Sequence, residues 1–399
     1  MKIFVVNCGS SSIKYQLFDM PGESVLARGV LDRLGSDRAE LKHETDAGVR
    51  RADVEAPDHA AGLKIILDAL AASADGVIDS VDEIDGVGHR VVHGGTEATG
   101  SVLIDQGIVE ILERNVDLAP LHNPPNLVGI RAAADAMESA RHVGVFDTAF
   151  LATLPEKAYR YAVPEQWYSD HRVRRYGFHG TSHKYVTQCA AELLGEPTDE
   201  VNLITVHMGN GVSMTAVSGG KAVDHSMGMT PLEGLMMGTR SGDIDPAIVF
   251  YMISRGMTSG DIDDALNKRS GLFGVSGGRS DMRDLVAAEA EGDQAAKLAI
   301  EMFIYRIIKY IGSYYAILPP LDAIVMTGGI GENSTAIRQR ICSGLERLGV
   351  IGDRRANAAI KGGLTGPITA QESRPPVWVI PTNEELMIAR ETMRLVDDQ

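Results

Sequence analysis

The sequence is poor in cysteine, in basic charge and in long apolar runs. Its three cysteines, Cys8, Cys189 and Cys342, are far apart and form no CxxC pair, which argues against a disulfide framework and a zinc site. A net charge of −16 argues against nucleic-acid or anionic-membrane partners, because both need a basic face. No apolar run approaches the roughly 18 residues of a membrane span, and the first residues lack the apolar stretch of a signal peptide. We therefore expect a cytoplasmic protein.

The segments that are present alternate between strand and helix patterns, which is typical of α/β proteins. At 399 residues the chain exceeds what one hydrophobic core usually serves, so we expect two domains. Residues 180–195 have a Thr or Ser as a start signal and Gly195 as a stop signal. Helices are predicted at 58–72, 126–137, 180–195 and 291–315, a strand within 85–95, a strand ending on Asp147, a strand–turn–helix unit at 321–334, and a strand and helix within 376–396.

Two stretches 200 residues apart share one layout. "VVNCGSSSIKYQL" at 5–17 and "TVHMGNGVSMTAV" at 205–217 each have an apolar strand, a polar residue, a glycine, a small polar cluster and a second strand. A repeat at half the chain length predicts two related domains with equivalent hairpins. The alternative is that two ordinary Gly/Ser hairpins recur by chance.

Glycine turns in both halves are suited to phosphate. Gly9 and Gly209 permit close backbone approach, and the hydroxyls of Ser10 and Ser12 are donors for phosphate oxygens. A third glycine turn at 328–334 lies between a strand and a helix, where the helix N-terminus favours anions. The chain has no GxxxxGK[ST] motif, and the third turn lacks the last glycine of GxGxxG. These turns predict a nucleotide held between two domains.

Four positively charged or titratable side chains lie in Gly/Pro-rich turns: Arg90, His122, His179 and Arg240. Taken singly, each histidine is more often a core or loop residue, and each arginine a surface ion-pair partner. Loops on a rigid scaffold nevertheless present functional side chains, and phosphoryl transfer needs positive groups around the phosphoryl oxygens.

Two carboxylates are candidates for a magnesium site. Asp147 ends a strand and Glu384 begins the last helix. Mg²⁺ is commonly held by one or two carboxylates, retained waters and substrate phosphates, so two such residues suffice. For Glu384 the alternative is a helix-capping carboxylate after Thr382 or Asn383.

Ten motifs together closely resemble the acetate kinase family: "NCGSSSIKY", "GHRVVHGG", "LAPLHNPPN", "FDTAF", "GFHGTSHKYV", "HMGNGVS", "DHSMGMTPLEGLMMGTRSGDIDP", "SDMRDL", "GGIGENS" and "TNEELMIARET". They run from residue 3 to about 393. The resemblance implies an α/β fold of two duplicated ribonuclease H-like (actin-like ATPase) domains with an interdomain cleft. We expect residues 1–149 with 385–399 to form the first domain, and residues 150–384 to form the second, nucleotide-binding domain and the dimer interface.

The resemblance also implies roles for individual residues. Catalytic roles fall to Asp147, His179 and Arg240, with His122 nearby, and metal binding to Asn7 and Glu384. Acetate is expected at Arg90, beside a methyl pocket of Val92, Leu121, Phe178 and Pro231. ATP is expected at Lys14, Ser10, Ser12, His207, Met208, Gly209, Asn210, Gly211, Asp281, Met282, Arg283, Gly329, Ile330, Gly331, Glu332 and Asn333.

The implied reaction is the reversible phosphorylation of acetate by ATP, with Mg²⁺, or Mn²⁺ as an alternative, in a cytoplasmic homodimer. Propionate and butyrate remain alternative substrates, because one methylene changes discrimination by only about 1–3 kcal/mol. A pyrophosphate-using relative is a further alternative, which the nucleotide turns disfavour. A nucleotide-switched chaperone or actin-like protein is an alternative of another class, which the arginines and histidine beside an acid pocket disfavour.

Overall fold

The computed structural model describes residues 1–20, 22–36, 38–72, 76–120 and 122–397. The chain divides into two units: unit 1 comprises Met1–Ala152 and Asn383–Gln399, and unit 2 comprises Thr153–Thr382. No helix in the described ranges is long and apolar enough to cross a membrane. The domain boundaries and the cleft expected from the sequence stay predictions.

Unit 1 is built on an eight-stranded sheet. Numbered in chain order, its strands are β1 (Lys2–Cys8), β2 (Ser12–Asp19), β3 (Ser24–Asp32), β4 (Ala39–Thr45), β5 (Gly48–Val54), β6 (Ile84–Val91), β7 (Val102–Leu103) and β8 (Arg141–Phe146). Their order across the sheet is β5-β4-β3-β2-β1-β6-β8-β7. Its helices are α1 (His59–Leu70), α2 (Gln106–Arg114), α3 (Asn123–Ala136) and α15 (Glu384–Asp397).

The centre of this sheet is apolar on both faces. Residues 3–6 of β1 are almost completely buried. Phe4 and Val6 belong to a core that includes Leu63 and Ile66 of α1. Fully burying such side chains contributes about 1.5–3 kcal/mol each to stability. The core therefore holds β1 in place, and with it the edge of the sheet at which the candidate functional residues lie.

Unit 2 has a six-stranded sheet in the order β11-β10-β9-β12-β14-β13. Its strands are β9 (Leu203–Met208), β10 (Val212–Ser218), β11 (Lys221–His225), β12 (Ala323–Thr327), β13 (Gly366–Pro367) and β14 (Val377–Val379). Its helices are α4 (Glu156–Tyr159), α5 (Glu165–His171), α6 (Gly180–Leu194), α7 (Ala247–Ser254), α8 (Ser259–Lys268), α9 (Gly271–Ser276), α10 (Met282–Ala290), α11 (Gln294–Ile317), α12 (Gly328–Asn333), α13 (Thr335–Gly344) and α14 (Arg354–Ala359). Short 3₁₀ turns occupy Val81–Glu83, Val116–Leu118, Ala149–Thr153 and Glu346–Leu348.

The two sheets share one topology. In unit 1, β1, β2 and β3 form an antiparallel meander, and β6 and β8 continue the sheet in parallel with β1. In unit 2, β9, β10 and β11 form the same meander, and β12 and β14 continue it in parallel with β9. This 3-2-1-4-5 order is that of a ribonuclease H-like domain, and it confirms the predicted duplicated fold. The two repeated stretches form the first hairpin of each sheet.

Most predicted elements are present with shifted ends. The helix predicted at 126–137 begins at Asn123, because prolines are tolerated in a first helical turn. Two local predictions are wrong. The helix after residue 179 has no Thr or Ser cap; its N-cap is His179, in the left-handed conformation. The glycines after β12 are not a turn but form α12.

Candidate active site

The turn after β1 is braced from two directions. The Gly9 N–H donates to the Ser12 carbonyl at 2.8 Å. His59 Nε2 donates to the Gly9 carbonyl at 2.8 Å, and Asn126 Nδ2 donates to the Cys8 carbonyl at 2.9 Å. Ser10 is exposed on this turn. The brace holds the backbone and leaves this hydroxyl accessible.

Arg90 and Asp147 form a two-bond ion pair at the ends of parallel strands. Arg90 Nε donates to Asp147 Oδ1 at 3.2 Å, and Nη2 donates to Oδ2 at 2.6 Å. The Asp147 carboxylate is buried, which fixes the geometry of the ion pair. The negative charge of Asp147 raises the pKa of Arg90 further above the usual range of arginine. Arg90 Nη1 lies 3.5 Å from Asn7 Oδ1. The Nη1/Nη2 edge of Arg90 therefore remains for a second anion.

Glu384, the first residue of α15, feels the same group of charges. Burial raises the pKa of Glu384 to about 7; Arg90 and Lys14 oppose this rise, while Asp147 and Glu385 add to it through like-charge repulsion. Lys14 lies opposite Asn7 in the β1–β2 register. We call this group the carboxylate cluster: Asn7, Lys14, Arg90, Asp147 and Glu384.

Two other predicted residues of unit 1, Val92 and His122, differ in their exposure to solvent. Val92 follows β6, is buried, and donates its N–H to Asn126 Oδ1 at 3.2 Å. His122 is exposed at the N-cap of α3. Leu121 lies outside the described residues.

Four histidines of unit 2 form an imidazole cluster: His179, His183, His207 and His225. The rings of His179 and His207 are tilted by 32° with centroids 4.5 Å apart, and the His183 and His225 rings meet edge to face at 5.3 Å. Burial lowers the pKa of His207 to about 4, and it lowers the pKa values of His183 and His225 well below the usual range. These three imidazoles are therefore neutral at pH 7.

Arg240 lies beside His179 and has a different kind of partner from Arg90. Its Nη1 donates to the Pro231 carbonyl at 2.8 Å, and among the described residues no carboxylate pairs with it. Burial lowers the pKa of Arg240. A Cβ at Gly211 would lie 3.0 Å from His179 Cε1 and 3.4 Å from Arg240 Nη2, so glycine lets the β9–β10 turn approach both. Phe178, next to His179, is buried.

A cavity of about 770 Å³ opens in unit 2, and three predicted segments line it. Its predicted lining residues are Gly209, Asn210, Asp281, Met282, Arg283, Gly329, Ile330 and Asn333. Five predicted residues of the unit 2 segments do not line the cavity: His207, Met208, Gly211, Gly331 and Glu332. The predicted Ser10, Ser12 and Lys14 of unit 1 do not line it either.

The rim of the cavity at α12 is held by residues that face away from it. Glu332 Oε1 accepts the Gly328 N–H at 2.9 Å and the Thr382 N–H at 3.1 Å. Gly328 has φ +75°, and a Cβ there would meet the Met208 backbone at 2.8 Å, so a side chain is excluded. The Gly331 and Glu332 carbonyls accept from Arg338 Nη1 at 2.9 and 2.6 Å.

Arg338 is completely buried, and its other bonds reach a distant segment. Nε donates to Asn357 Oδ1 at 2.8 Å. Nη2 donates to the carbonyls of Asn357 at 2.9 Å and Ile360 at 2.6 Å. One guanidinium thus ties the end of α14 to the rim.

Comparison with known proteins identifies the family. The family model described as the acetokinase family matches residues 2–390. The chain belongs to the acetokinase family. It is 51% identical over 399 residues to the acetate kinase of Thermotoga petrophila, covering 100% of this chain and 99% of that one. A crystal structure of Porphyromonas gingivalis acetate kinase matches with a TM-score of 0.95 at 45% identity, covering 99% of each chain. A propionate kinase structure from Francisella tularensis matches with a TM-score of 0.92 at 40% identity, also covering 99% of each chain.

Of the predicted residues, the structure brings Arg90, Asp147 and Glu384 together in unit 1, and His179, His207 and Arg240 together in unit 2. Sequence reasoning missed the residues that hold those groups: His59 and Asn126 behind the first turn, Ser213 beside His179, and Arg338 behind α12. Asn126 and Cys8 are 118 positions apart, so no local pattern signals their contact.

Proposed function

We propose that the chain catalyses the reversible phosphorylation of acetate by ATP, yielding acetyl phosphate and ADP. The observation that carries this proposal is the family match over nearly the whole chain. Two arginines support it. Arg90 is paired with the Asp147 carboxylate, and Arg240 has no carboxylate partner among the described residues.

Arg90 is proposed to bind the acetate carboxylate. Its Nε/Nη2 edge is occupied by Asp147, so the Nη1/Nη2 edge would receive the substrate in the bidentate geometry that arginine favours. By analogy with Glu, acetate is already ionised at pH 7, and no general base is required. Asp147 is therefore assigned the orientation of Arg90 rather than proton removal.

Arg240 and His179 of unit 2 are proposed to stabilise the transferring phosphoryl group, and His122 of unit 1 stays a candidate for the same role. Phosphoryl transfer depends mainly on positioning and on charge neutralisation at three equatorial oxygens. A guanidinium without a carboxylate partner can meet an anion without first breaking an ion pair. We infer direct attack of an acetate oxygen on the γ-phosphorus. ATP with a chiral γ-phosphate tests this step: inversion is expected, and net retention would favour a phosphoryl-enzyme on Glu384.

Asn7 and Glu384 fit a magnesium ion. The two offer hard oxygen ligands, and the pKa of Glu384 is raised by burial and by neighbouring carboxylates, an environment that a cation relieves. No group of three or more His, Cys, Asp or Glu in the described ranges forms a metal cage, which suits an ion that retains waters. When bound, Mg²⁺ supplies positive charge against the nucleotide phosphates; Mn²⁺ offers the same oxygen-ligand chemistry.

The nucleotide is proposed to occupy the 770 Å³ cavity of unit 2, with its phosphates toward the β9–β10 turn. The hydroxyls of Ser10 and Ser12 in unit 1 stay candidate donors for phosphate oxygens. The cavity has the volume typical of small-molecule sites. Gly331 and Glu332 then hold the rim rather than contact the nucleotide.

Acetate is favoured over propionate by the relatives, and propionate is the second candidate because a propionate kinase is a close structural neighbour. Val92, Phe178 and Pro231 are each proposed to contact the substrate methyl group, as is Leu121, which lies outside the described residues. Hydroxamate trapping of the acyl phosphate with acetate, propionate and butyrate tests the assignment. The highest kcat/KM is expected for acetate, and no turnover of any of the three acids would refute the proposed function.

A cytoplasmic homodimer is proposed through the exposed apolar side chains of α7 in unit 2. Helix α7 has no buried residue, and Phe250 is 71% exposed. Such a patch is a common dimer interface. Phe250→Glu should yield monomers in analytical ultracentrifugation, whereas Leu364→Glu, at another exposed apolar site of unit 2, should not.

A further inference from the structure

The Ser213 hydroxyl lies between two imidazoles of the imidazole cluster. Its Oγ is 2.8 Å from His179 Nδ1 and 2.8 Å from His183 Nε2. Ser213 and His183 are completely buried, so water does not compete for these bonds. A hydroxyl has one proton, and with two ring-nitrogen partners it donates to one and accepts from the other.

The direction of these bonds is set by Thr205. Its hydroxyl is completely buried and lies 2.7 Å from His183 Nδ1, its only side-chain hydrogen bond among the described residues. If this hydroxyl accepted from Nδ1, its own proton would be buried without an acceptor, which is costly. Thr205 therefore donates to Nδ1. Since His183 is neutral, its single ring proton is on Nε2 and points to Ser213.

We propose that Thr205, His183 and Ser213 form an ordered hydrogen-bond chain that places the ring proton of His179 on Nε2. Ser213 accepts from His183 and donates to His179 Nδ1. A Cβ at Gly211 would lie 3.2 Å from His179 Nε2 and 3.4 Å from Arg240 Nη2, so the protonated nitrogen is on the side of the guanidinium. The neutral imidazoles of His207 and His225 also lie near His179, and the Arg175 guanidinium donates to the His225 carbonyl at 2.6 Å.

The consequence is a neutral N–H donor next to Arg240, aimed where the phosphoryl oxygens are expected. This catalytic consequence rests on the role of His179 under the proposed function; the order of the protons does not. Ser213 is thus a positioning residue, which acts through His179.

Neutron diffraction from deuterium-exchanged crystals of the full-length protein, at a pD near 7.5, tests the proton order directly. A deuteron is expected on His179 Nε2, with the Ser213 deuteron directed at Nδ1 and the Thr205 deuteron directed at His183. A deuteron on His179 Nδ1, alone or together with one on Nε2, overturns the proposal. This readout needs neither a variant nor activity.

Kinetics test the catalytic consequence. Ser213→Ala should lower kcat about tenfold while both KM values change less than twofold, because the donor is misaligned but binding is retained. Ser226→Ala is the matched control: it also removes a completely buried hydroxyl, but one that accepts a backbone N–H from Met214. An unchanged kcat in Ser213→Ala, or an equal loss in the control, would overturn the positioning role. A wild-type protein without acid-kinase activity would refute the proposed function instead and leave the neutron result standing.

Discussion

The carboxylate cluster of unit 1 and the imidazole cluster of unit 2 are built on the same strand order but differ in charge. In unit 1 the arginine is neutralised by a buried aspartate, and the pKa of Glu384 is raised by crowded carboxylates. In unit 2 the arginine bonds a carbonyl, and the imidazoles around it are neutral.

This difference shows that the shared strand order does not determine the electrostatics of the two clusters. The residues just beyond the strand ends determine it. Unit 1 presents carboxylates that suit a cation together with an arginine edge that suits one carboxylate. Unit 2 presents Arg240, which has no carboxylate partner among the described residues, beside neutral imidazoles, and this suits a phosphoryl group. Four measurements test whether the two clusters differ in this way.

The largest effect is expected from Arg240→Ala. Loss of an arginine that neutralises transition-state charge should lower kcat by about a thousandfold or more, with little change in the acetate KM. Steady-state kinetics with hydroxamate detection measures both constants. Because Arg240 has no carboxylate partner among the described residues, its removal leaves no buried carboxylate unpaired and should lower the urea midpoint of unfolding less than Arg90→Ala does. A change in KM alone would contradict the assignment.

Arg90→Ala should instead raise the acetate KM, by roughly a hundredfold, because the bidentate contact to the substrate is lost. It should also reduce the free energy of unfolding, because Asp147 is left buried without its partner. Since 25% of the Arg90 side chain is exposed, solvent screening limits this loss to about 2 kcal/mol. Equal KM-only effects in both arginine variants would remove the distinction between the clusters.

Acid should destabilise unit 2 more than unit 1. The pKa values of His183, His207 and His225 are depressed in unit 2, and those of His89 and His142 are depressed in unit 1, in each case mainly by burial. Such groups take up protons only on unfolding, so stability is full above the unfolded pKa near 6.5 and falls as the pH drops toward the folded pKa.

Each of these histidines should cost about 1.4 kcal/mol per pH unit below 6.5. Hydrogen exchange of β9 and β10 amides, compared with β1 and β6 amides at pH 7.5 and 5.5, measures the loss in each unit. An equal loss in both units would argue against neutral imidazoles in unit 2.

The smallest effect on activity is expected from alanine substitutions in two turns, the β1–β2 turn of unit 1 and the β9–β10 turn of unit 2. In Gly211→Ala the new Cβ would press on the His179 ring, so kcat should fall about tenfold. In Gly9→Ala the nearest atoms lie at 3.5 Å, an ordinary contact, so activity should be retained. Matched kinetics of the two variants test this, and equal sensitivity would mean that turn packing does not explain the difference.

The sequence predicted the repeated hairpins, the α/β class and the duplicated fold, because apolar periodicity and glycine positions are local signals. It also predicted Arg90 and Asp147 as functional residues near strand ends. It did not predict that they bond each other, because that contact depends on the register in which β6 pairs with β8.

The start of α6 shows why local signals fail near the site. A Ser or Thr was expected to cap the helix, but the Ser182 hydroxyl bonds His207 Nδ1 and Thr382 Oγ1, both at 2.8 Å. Contacts with residues 25 and 200 positions away therefore override the capping preference, and the backbone turns at a left-handed His179.

Arg338 does not line the cavity, yet its hydrogen bonds hold the α12 rim of the cavity in place. The buried guanidinium makes five hydrogen bonds, which are shared between the α12 carbonyls and the segment at 357–360. Under the proposed function, we expect a deletion or loop exchange around α14 to weaken nucleotide affinity. Engineering that treats this peripheral helix as a free insertion point would therefore alter the enzyme's saturation behaviour toward ATP.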